Sequence, residues 1–255
     1  MKKERSNIQL SSYDDIFGQD KTSPKVTADQ VVEIPLSQLH PFKYHPFKVR
    51  DDEEMVKTVE SIREFGVLTP AICRPDGKGG YEILSGHRRH HASEIAGLET
   101  LPCIVRELDD DAATILMVDS NLQREEILPS ERAFAYKMKL EAMKRQAGRP
   151  SKENVSQLGT DLLSAERSDK IMADELGTSR NQVQRYIRLT NLIPELLDMV
   201  DEKVIGLNTG VTLSFLDDKQ QKDLLSAIDY AQAVPSLEQA QRIKKLAQTN
   251  EISQE

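Results

Sequence analysis

Hydrophobic residues in the first 125 positions alternate between the spacing of strands and the spacing of helices. Short apolar runs predict strands at Val31–Pro35, Pro70–Arg74, Glu82–Leu84 and Leu101–Leu108. Apolar residues at helical spacing predict helices at 52–65, from His87 onward and at 109–123. Strands that alternate with helices in this way are typical of a compact α/β unit.

After residue 125 the strand pattern disappears. A helix is predicted from Pro129 to about Gln146, followed by a polar loop at Gly148–Ala165 and by four or five helices between 168 and 248. The chain is therefore predicted to be an α+β protein. Its predicted parts are a mixed α/β domain at 31–125, an all-α domain at 126–232, and a last helix and tail at 233–255.

The first 30 residues are polar and show no sustained hydrophobic period, so we expect a disordered tail at 1–30. Within it, the acidic-aromatic segment Tyr13–Phe17 is compatible with a partner-binding motif and with a chance cluster. No stretch approaches the roughly 18 apolar residues of a membrane span, and the start lacks the apolar centre of a signal peptide. We therefore expect a cytoplasmic protein with no membrane partner.

The charge of the chain is unevenly distributed. The 255 residues carry a formal net charge of −8, which is unusual for a protein that binds DNA. Residues 121–190 are the exception, with 13 Lys and Arg against 10 Asp and Glu, so a polyanion is expected to bind there. Cys73 and Cys103 lie in apolar runs and are expected to be buried free thiols rather than a disulfide.

The segment Tyr81–Ala92 combines a strand, a turn at Ser85-Gly86 and the start of a helix. Backbone N–H groups at such a helix start form a ready site for an anion. Arg88 and Arg89 lie in the first turn, where the helix dipole disfavours cations unless an anion lies between them and the helix end. This segment alone is equally compatible with a nucleotide-phosphate site and with a solvated basic helix start.

Residues 168–190 have the spacing of a helix-turn-helix. Ser168 is expected to cap a short first helix and Gly177 to form the turn. Thr178 or Ser179 is expected to cap the second helix, whose buried face is predicted to contain Val183, Tyr186 and Ile187.

The exposed face of that second helix is predicted to be basic and polar. Its residues form two neighbouring stripes, which are Arg180, Gln184 and Arg188, and Asn181 with Arg185. Arg, Asn and Gln make bidentate contacts with guanine and adenine edges. No acidic residue occurs between Thr178 and Leu192, whereas an ordinary solvated helix usually mixes both signs of charge. These five residues, together with Thr178 and Ser179, are therefore predicted to contact DNA.

Several segments, in this order, resemble the motifs of the ParB family of DNA-partition proteins. The segments are Ile34–Leu39, Ser61–Pro70, Gly86–Ala92, Asn121–Glu126 and the helix-turn-helix. The resemblance covers roughly Val31–Leu246, and several ordered motifs are far more specific than any one of them. It implies a ParB/sulfiredoxin-like N-terminal domain followed by an all-α helix-turn-helix domain.

The resemblance implies a CTP site in the N-terminal domain. The residues implied at the nucleotide are Gly86, His87, Arg88, Arg89, Asn121, Gln123 and Arg124. Asn121 is the residue implied near Mg²⁺. In this family, recognition of a centromere-like site on double-stranded DNA promotes closure into a clamp that slides along DNA, and slow CTP hydrolysis resets it. The implied role is the partition of a plasmid, a chromosome or a mobile element.

Five residues depart from the family pattern. His87 and His91 replace the usual Glu and third Arg, Ser120 replaces the Glu before the Asn, and His45-Pro46-Phe47 replaces Gln-Pro-Arg. Charged groups are thereby lost from the expected site, so weak CTP hydrolysis and the choice of CTP both stay open. ATP is the alternative nucleotide, because the sulfiredoxin-like branch of the same fold uses ATP.

The sequence supports three functional hypotheses. The first is a CTP-switched partition protein, homodimeric and associated with the nucleoid or a plasmid, which engages a ParA-type ATPase through its tail. The second is a nucleotide-independent transcription regulator on a ParB scaffold, and the third is an ATP-using enzyme of this fold. The family's usual C-terminal dimerisation domain is expected to be missing after Lys245. His87 and His91, four residues apart, are a weaker candidate for zinc.

Overall fold

The computed structural model describes residues 30–124, 126–148 and 161–249, without the side chains of 161–167. The predicted tail, including Tyr13–Phe17, lies outside these residues apart from Gln30. Most of the predicted loop at Gly148–Ala165 also lies outside them.

The described residues form one five-stranded mixed sheet. Its strands are β1 (Val31–Pro35), β2 (Leu39–Pro41), β3 (Ala71–Pro75), β4 (Tyr81–Ser85) and β5 (Thr100–Val105). Their order across the sheet is β1-β5-β3-β4-β2. The β1–β5 and β3–β4 pairs are antiparallel, whereas the β3–β5 and β2–β4 pairs are parallel. Cys73 and Cys103 are buried in β3 and β5 as free thiols, which confirms that prediction.

Strand β2 is not among the four strands predicted from the sequence. Pro41 lies in β2, and β2 is an edge strand that pairs with β4 alone. A proline is tolerated at a sheet edge because its missing N–H removes no hydrogen bond to a second neighbouring strand. The presence of Pro41 therefore argued against a strand that the structure contains.

Three helices accompany the sheet, namely α1 (Glu53–Phe65), α2 (His87–Ala96) and α3 (Asp110–Leu122). The Asp52 carboxylate begins α1 by accepting the Met55 N–H at 2.8 Å, and Asp109 begins α3 by accepting the Ala112 N–H at 2.8 Å. Helix α1 packs against α2, and α3 packs against β4. These contacts bring the start of α2 and the end of α3 to the same side of the domain as the residues after β2.

Seven helices follow in the described part of the chain. They are α4 (Pro129–Ala147), α5 (Asp161–Glu175), α6 (Arg180–Leu189), α7 (Pro194–Asp201), α8 (Leu207–Leu213), α9 (Asp218–Ala231) and α10 (Leu237–Gln248). Six of them lie within 161–249, so the expectation of four or five helices was wrong. Helices as short as α7 and α8 give only about two apolar repeats each, which is too few to separate by periodicity.

The expectation that Ser168 caps the first helix of the helix-turn-helix was also wrong. Helix α5 already includes Asp161, and Ser168 is buried inside it. Serine is favoured at caps, but it is also tolerated within helices, where its hydroxyl can bond to a backbone carbonyl. The predicted α+β class is confirmed. No helix in the described part of the chain is long and apolar enough to cross a membrane.

Two apolar clusters hold the helical part together. In the first, α7 and α8 approach so closely that a Cβ on Gly210 would lie 2.7 Å from the Val200 side chain. In the second, Met172 and Val183 of the helix-turn-helix pack against Tyr136 and Leu140 of α4. Helix α4 therefore supports the helix-turn-helix from behind.

Candidate functional site

Gly86 joins β4 to α2 in a conformation that no other residue adopts easily. Its φ is +113°, and a Cβ at this position would lie 2.8 Å from the Ala71 Cβ. The first intrahelical hydrogen bond of α2 runs from the His90 N–H to the Gly86 carbonyl, at 2.9 Å. The preceding N–H groups of the first turn have no partner inside the helix, so they are available to an anion.

Arg88 and Arg89 leave the start of α2 in different directions. Arg88 donates to both carboxylate oxygens of Asp52, at 3.1 and 3.3 Å, and these bonds lower the pKa of Asp52. Arg89 donates to the carbonyls of Thr69 and Pro70, each at 2.6 Å. Burial lowers the pKa of the Arg89 guanidinium, which still carries its positive charge. Both arginines are therefore already bonded to protein atoms.

His87 turns inward and stacks on His45. The two ring centroids are 3.8 Å apart with the planes tilted by 39°, and His87 is only 5% exposed. Both ring nitrogens of His87, and Nε2 of His45, are buried without a hydrogen-bond partner. Burial, and then the charges of His45, Arg124 and His90, lower the pKa of His87 to about 2. Burial and Arg124 lower the pKa of His45 to about 4.

Arg124 completes this group from the end of α3. Its guanidinium carbon lies 5.5 Å from the centroid of the Phe47 ring. Burial lowers the pKa of Arg124, Glu131 raises it, and the neighbouring Arg88 lowers it. Glu131 of α4 also fixes the loop that carries His45, because its carboxylate accepts the Lys48 N–H at 2.8 Å.

Asn121 and Gln123 lie on the same helix end but differ in exposure. Asn121 is buried, and its amide donates to the Met117 carbonyl at 2.8 Å and to the Ser120 hydroxyl at 3.4 Å. Gln123 is exposed at the C-cap of α3. No group of three His, Cys, Asp or Glu side chains able to hold a metal occurs among the described residues. His91 instead pairs with Asp51 at 2.8 Å, which gives no support to a zinc site.

The residues present fit a phosphate group better than a free metal ion. The orphaned imidazole nitrogens, the start of α2 and the nearby Arg124 are all suited to an anion. Mg²⁺ usually takes few protein ligands and relies on phosphate oxygens, so the Asn121 amide could serve it only together with a bound nucleotide.

A cavity of about 340 Å³ lies beside Arg89. One face of α1 forms part of its wall, with Lys57, Thr58, Ser61 and Ile62. The residues after α1 form the rest, with Gly66, Val67, Leu68 and Thr69. This volume is within the range of small-molecule sites. The hydroxyls and backbone groups on its walls offer hydrogen bonds without a fixed charge beyond Lys57 and Arg89.

The helix-turn-helix consists of α5 and α6. Gly177 forms the turn with φ +61°, and the Ser179 hydroxyl caps α6 by accepting the Gln182 N–H at 3.1 Å. Val183 is buried, while Tyr186 and Ile187 are partly buried against the same cluster. The N-cap is therefore Ser179, and Thr178 instead donates its N–H to the Ala173 carbonyl at 2.9 Å.

Asp169 of α5 holds two of the predicted DNA-contacting side chains. Its carboxylate lies 3.5 Å from Nε of Arg180 and accepts a hydrogen bond from the Gln184 amide. Asp169 itself is only 5% exposed, and its other oxygen is buried without a partner. Asp169 was not among the predicted site residues, because a single acid in the first helix carries no local signal of its position.

Arg188 does not continue the stripe of Arg180 and Gln184. Its Nη2 donates to the Ser214 carbonyl at 3.1 Å, and its guanidinium carbon lies 4.0 Å from the centroid of the Phe215 ring. Nζ of Lys244 lies 3.3 Å from the same centroid. Two cations from different helices therefore share one half-exposed aromatic ring, and neither has a carboxylate partner among the described residues.

The predicted residues thus form two separate groups. Gly86, His87, Arg88 and Arg124 lie near one another, whereas Arg89 lines the cavity. Arg180, Asn181 and Gln184 are exposed on α6, and Arg185 is partly exposed. His45, Asp169, Phe215 and Lys244 are the additional residues in these two groups.

Two family models match the chain. The ParB N-terminal domain matches residues 20–122, and the ParB HTH domain matches residues 162–245. The chain belongs to the ParB family. This confirms the resemblance inferred from the motifs.

Similar ParB-family proteins extend beyond the length of this chain. Stage 0 sporulation protein J of Bacillus subtilis (strain 168) is 32% identical over 200 residues, which are 78% of this chain and 63% of that protein. This chain therefore spans less than two thirds of the relative.

Two solved ParB structures from Caulobacter crescentus, both C-terminally truncated, are also similar. One, complexed to the centromeric parS site, is 23% identical, covers 86% of this chain and 99% of its own, and has a TM-score of 0.45. The other, complexed with CTP-gamma-S, is 27% identical, covers 78% of this chain and 99% of its own, and has a TM-score of 0.35. Membership of the ParB family rests on the sequence matches.

Proposed function

We propose that this ParB-family chain is a sequence-specific DNA-binding protein of DNA partition that is controlled by a nucleoside triphosphate, with CTP as the expected nucleotide. The observation that carries the DNA half is the exposed face of α6. Arg180, Asn181 and Gln184 are exposed there, and the buried Asp169 orders two of them. Ordered Arg and Gln side chains on a recognition helix are suited to reading base edges in the major groove.

The nucleotide half is supported by the group around Gly86. The start of α2 offers backbone N–H groups, and Arg88 and Arg124 bring positive charge close to it. Mg²⁺ would be held mainly by the phosphates, with Asn121 as the candidate protein ligand. The cavity beside Arg89 is large enough to take part of a nucleotide.

The family also suggests how the two halves work together. Nucleotide and a centromere-like DNA site would jointly favour a homodimeric clamp that slides along DNA, and a ParA-type ATPase would engage the N-terminal tail. Retention on DNA that is closed at both ends, compared with the same DNA after one end is opened, tests the sliding clamp. Equal retention on both forms in the presence of CTP would contradict it.

Selection of bound sequences from random double-stranded DNA tests the DNA half. The wild-type chain should enrich one motif, and Arg180→Ala should lose about 1–3 kcal/mol of discrimination at a single position of it. Arg145→Ala is the matched control, because Arg145 of α4 pairs with Asp111 at 2.7 Å, away from α6. Enrichment of the same motif with undiminished preference by Arg180→Ala would remove α6 as the reading helix.

Calorimetric titration with CTP, ATP and GTP tests the nucleotide half, with and without the selected DNA. CTP should bind to the wild-type chain, and Arg124→Ala should weaken it at least about tenfold because a charge-assisted contact with phosphate is lost. Arg145→Ala again serves as the control. Tighter binding of ATP than of CTP would make ATP the nucleotide of the proposed site and would leave the proposed site itself unchanged.

A second function is favoured by the positions of the two arginines at the start of α2. Arg88 is bonded to Asp52 and Arg89 to two carbonyls, so neither depends on a ligand for its hydrogen bonds. A DNA-binding regulator that needs no nucleotide would fit this arrangement. Specific DNA binding with no heat from any of the three nucleotides would establish it in place of the nucleotide-controlled function.

A further inference from the structure

The imidazole of His87 is buried with no hydrogen-bond partner at either ring nitrogen, and it stacks on the partly buried ring of His45. Three of their four ring nitrogens have no hydrogen-bond partner, and Nε2 of the adjacent His90 is also buried and unpartnered. A neutral imidazole has one donor and one acceptor nitrogen, and leaving both unmet in a buried site costs stability. Such an arrangement persists when the groups serve a ligand.

Two arginines and the titratable His90 surround this pair. Arg88 and His90 lie on α2, and Arg124 follows α3 and acts on both rings. The nearest acids are already engaged. Asp52 at the start of α1 binds Arg88, Glu131 of α4 binds the Lys48 and Leu128 N–H groups, and Glu94 of α2 lies 3.8 Å from Nδ1 of His90. No acid among the described residues is bonded to either ring.

We propose that the His45–His87 pair takes up a proton from solvent when the phosphate chain of a nucleotide enters this site, so that nucleotide binding tightens as the pH falls. This inference rests on the proposed nucleotide site. A protonated imidazole has two N–H donors and no acceptor, which matches phosphate oxygens.

The direction of the pH dependence follows from the charges around the two rings without and with the nucleotide. Without a ligand, burial and Arg124 keep both imidazoles neutral, with pKa values of about 2 for His87 and about 4 for His45. A triphosphate brings several negative charges and offsets the arginines, so it raises the pKa of the rings. Where one proton is taken up fully on binding, the affinity changes by about tenfold per pH unit.

Calorimetry of the full chain with CTP decides the inference. Titrations at pH 6, 7 and 8, each in two buffers with different heats of ionisation, give both the Kd and the number of protons exchanged. We expect proton uptake of about 0.5 to 1 per CTP near pH 7, and a Kd at least about tenfold lower at pH 6 than at pH 8. CTP's own titration is the same for every variant, so comparisons between variants exclude it.

His45→Gln/His87→Gln should abolish the proton uptake, whereas His40→Gln should retain it, because His40 binds Asp76 at 2.8 Å instead. Uptake that persists in the double variant would overturn the proposal. So would CTP binding by the wild-type chain with no more proton uptake than the titration of CTP itself accounts for, and this result decides the matter even if the double variant does not fold. Absence of CTP binding at every pH would instead remove the proposed nucleotide function and this inference with it, while DNA binding by α6 would be unaffected.

Discussion

At the scale of single residues, position 86 shows two separate requirements for glycine. The left-handed φ of +113° is strained for any residue with a Cβ, and the close approach of Ala71 leaves no space for one. Gly97, at the other end of α2, has a φ of +81° but no atom within 4 Å of an added Cβ. A substitution at Gly97 therefore causes backbone strain alone, whereas one at Gly86 causes backbone strain and a steric clash.

Gly86→Ala should lower the free energy of unfolding more than Gly97→Ala does. We expect a cost of about 1 kcal/mol for Gly97→Ala, from φ strain alone, and about 2–4 kcal/mol for Gly86→Ala, because β3 must also move away from α2. Urea unfolding of the two variants measures both values. Equal costs would mean that β3 yields freely at Ala71.

His87 should make the stability of the ligand-free protein sensitive to acid. Its pKa is about 2 in the folded state and about 6.5 in the unfolded state, so the unfolded chain binds more protons between these values. The contribution of His87 is fully present above pH 6.5 and falls by about 2 kcal/mol down to pH 5. Urea unfolding at pH 7.5 and 5 should therefore show a smaller loss for His87→Gln than for the wild-type chain. An identical loss would mean that His87 is not buried as a neutral group.

Part of the site could be predicted from local sequence, because a strand, a glycine and a helix with two arginines lie next to one another in the chain. The contact partners of the side chains could not be predicted. Arg89 binds carbonyls that precede β3, and His87 meets His45 only because β2 and β4 are neighbours in the sheet. Such contacts depend on tertiary packing, which a local pattern does not contain.

At the scale of secondary-structure elements, the proposed DNA-binding surface extends beyond the recognition helix. Arg188 at the end of α6 and Lys244 of α10 approach the ring of Phe215, which follows α8. The sequence analysis placed Arg188 on the reading face from its spacing alone. Its spacing from Arg180 is eight residues, over which an α-helix turns by about 80° away from a straight stripe, and Phe215 provides the aromatic partner.

Lys244→Ala should weaken the binding of all DNA sequences alike. A lysine held beside Arg188 without an acidic partner is placed to contact a phosphate, so the slope of log K against log salt should fall by about one. Lys245→Ala removes the same charge from the next position, which is exposed, and should change the slope less. Filter binding at several salt concentrations measures this. Slopes that stay at the wild-type value in both variants would place α10 away from DNA.

At the scale of the whole molecule, α4 connects the proposed nucleotide site to the proposed DNA-binding helix. Nζ of Lys139 lies buried between Asp119 of α3, at 2.6 Å, and Glu175 of α5, at 2.8 Å. At the start of α4, the Ser130 N–H and hydroxyl donate to Asp201 of α7. These bonds could not be predicted from the sequence, because each joins residues that are far apart along the chain.

Lys139→Met should be nearly neutral for stability, whereas Asp119→Asn/Glu175→Gln should not. Burial alone lowers the pKa of Lys139, but the bonds to Asp119 and Glu175 outweigh it and raise the pKa, so the ammonium is charged. An apolar replacement of similar volume often costs little, while a buried ammonium without its acids costs about 3 kcal/mol or more. Thermal and urea unfolding of both variants test this. A larger loss for Lys139→Met would show that the ion pairs stabilise the fold outright.

The bond from Glu131 to the Lys48 N–H has a practical consequence for dissecting the protein. A fragment that ends near residue 125, where the strand pattern stops, would lack the carboxylate that fixes the segment around His45. Limited proteolysis of the intact chain should accordingly spare the 126–147 region, and a fragment meant to retain nucleotide affinity by itself needs to continue through Ala147. The smallest autonomous ligand-binding piece is then longer than the domain that the strands define.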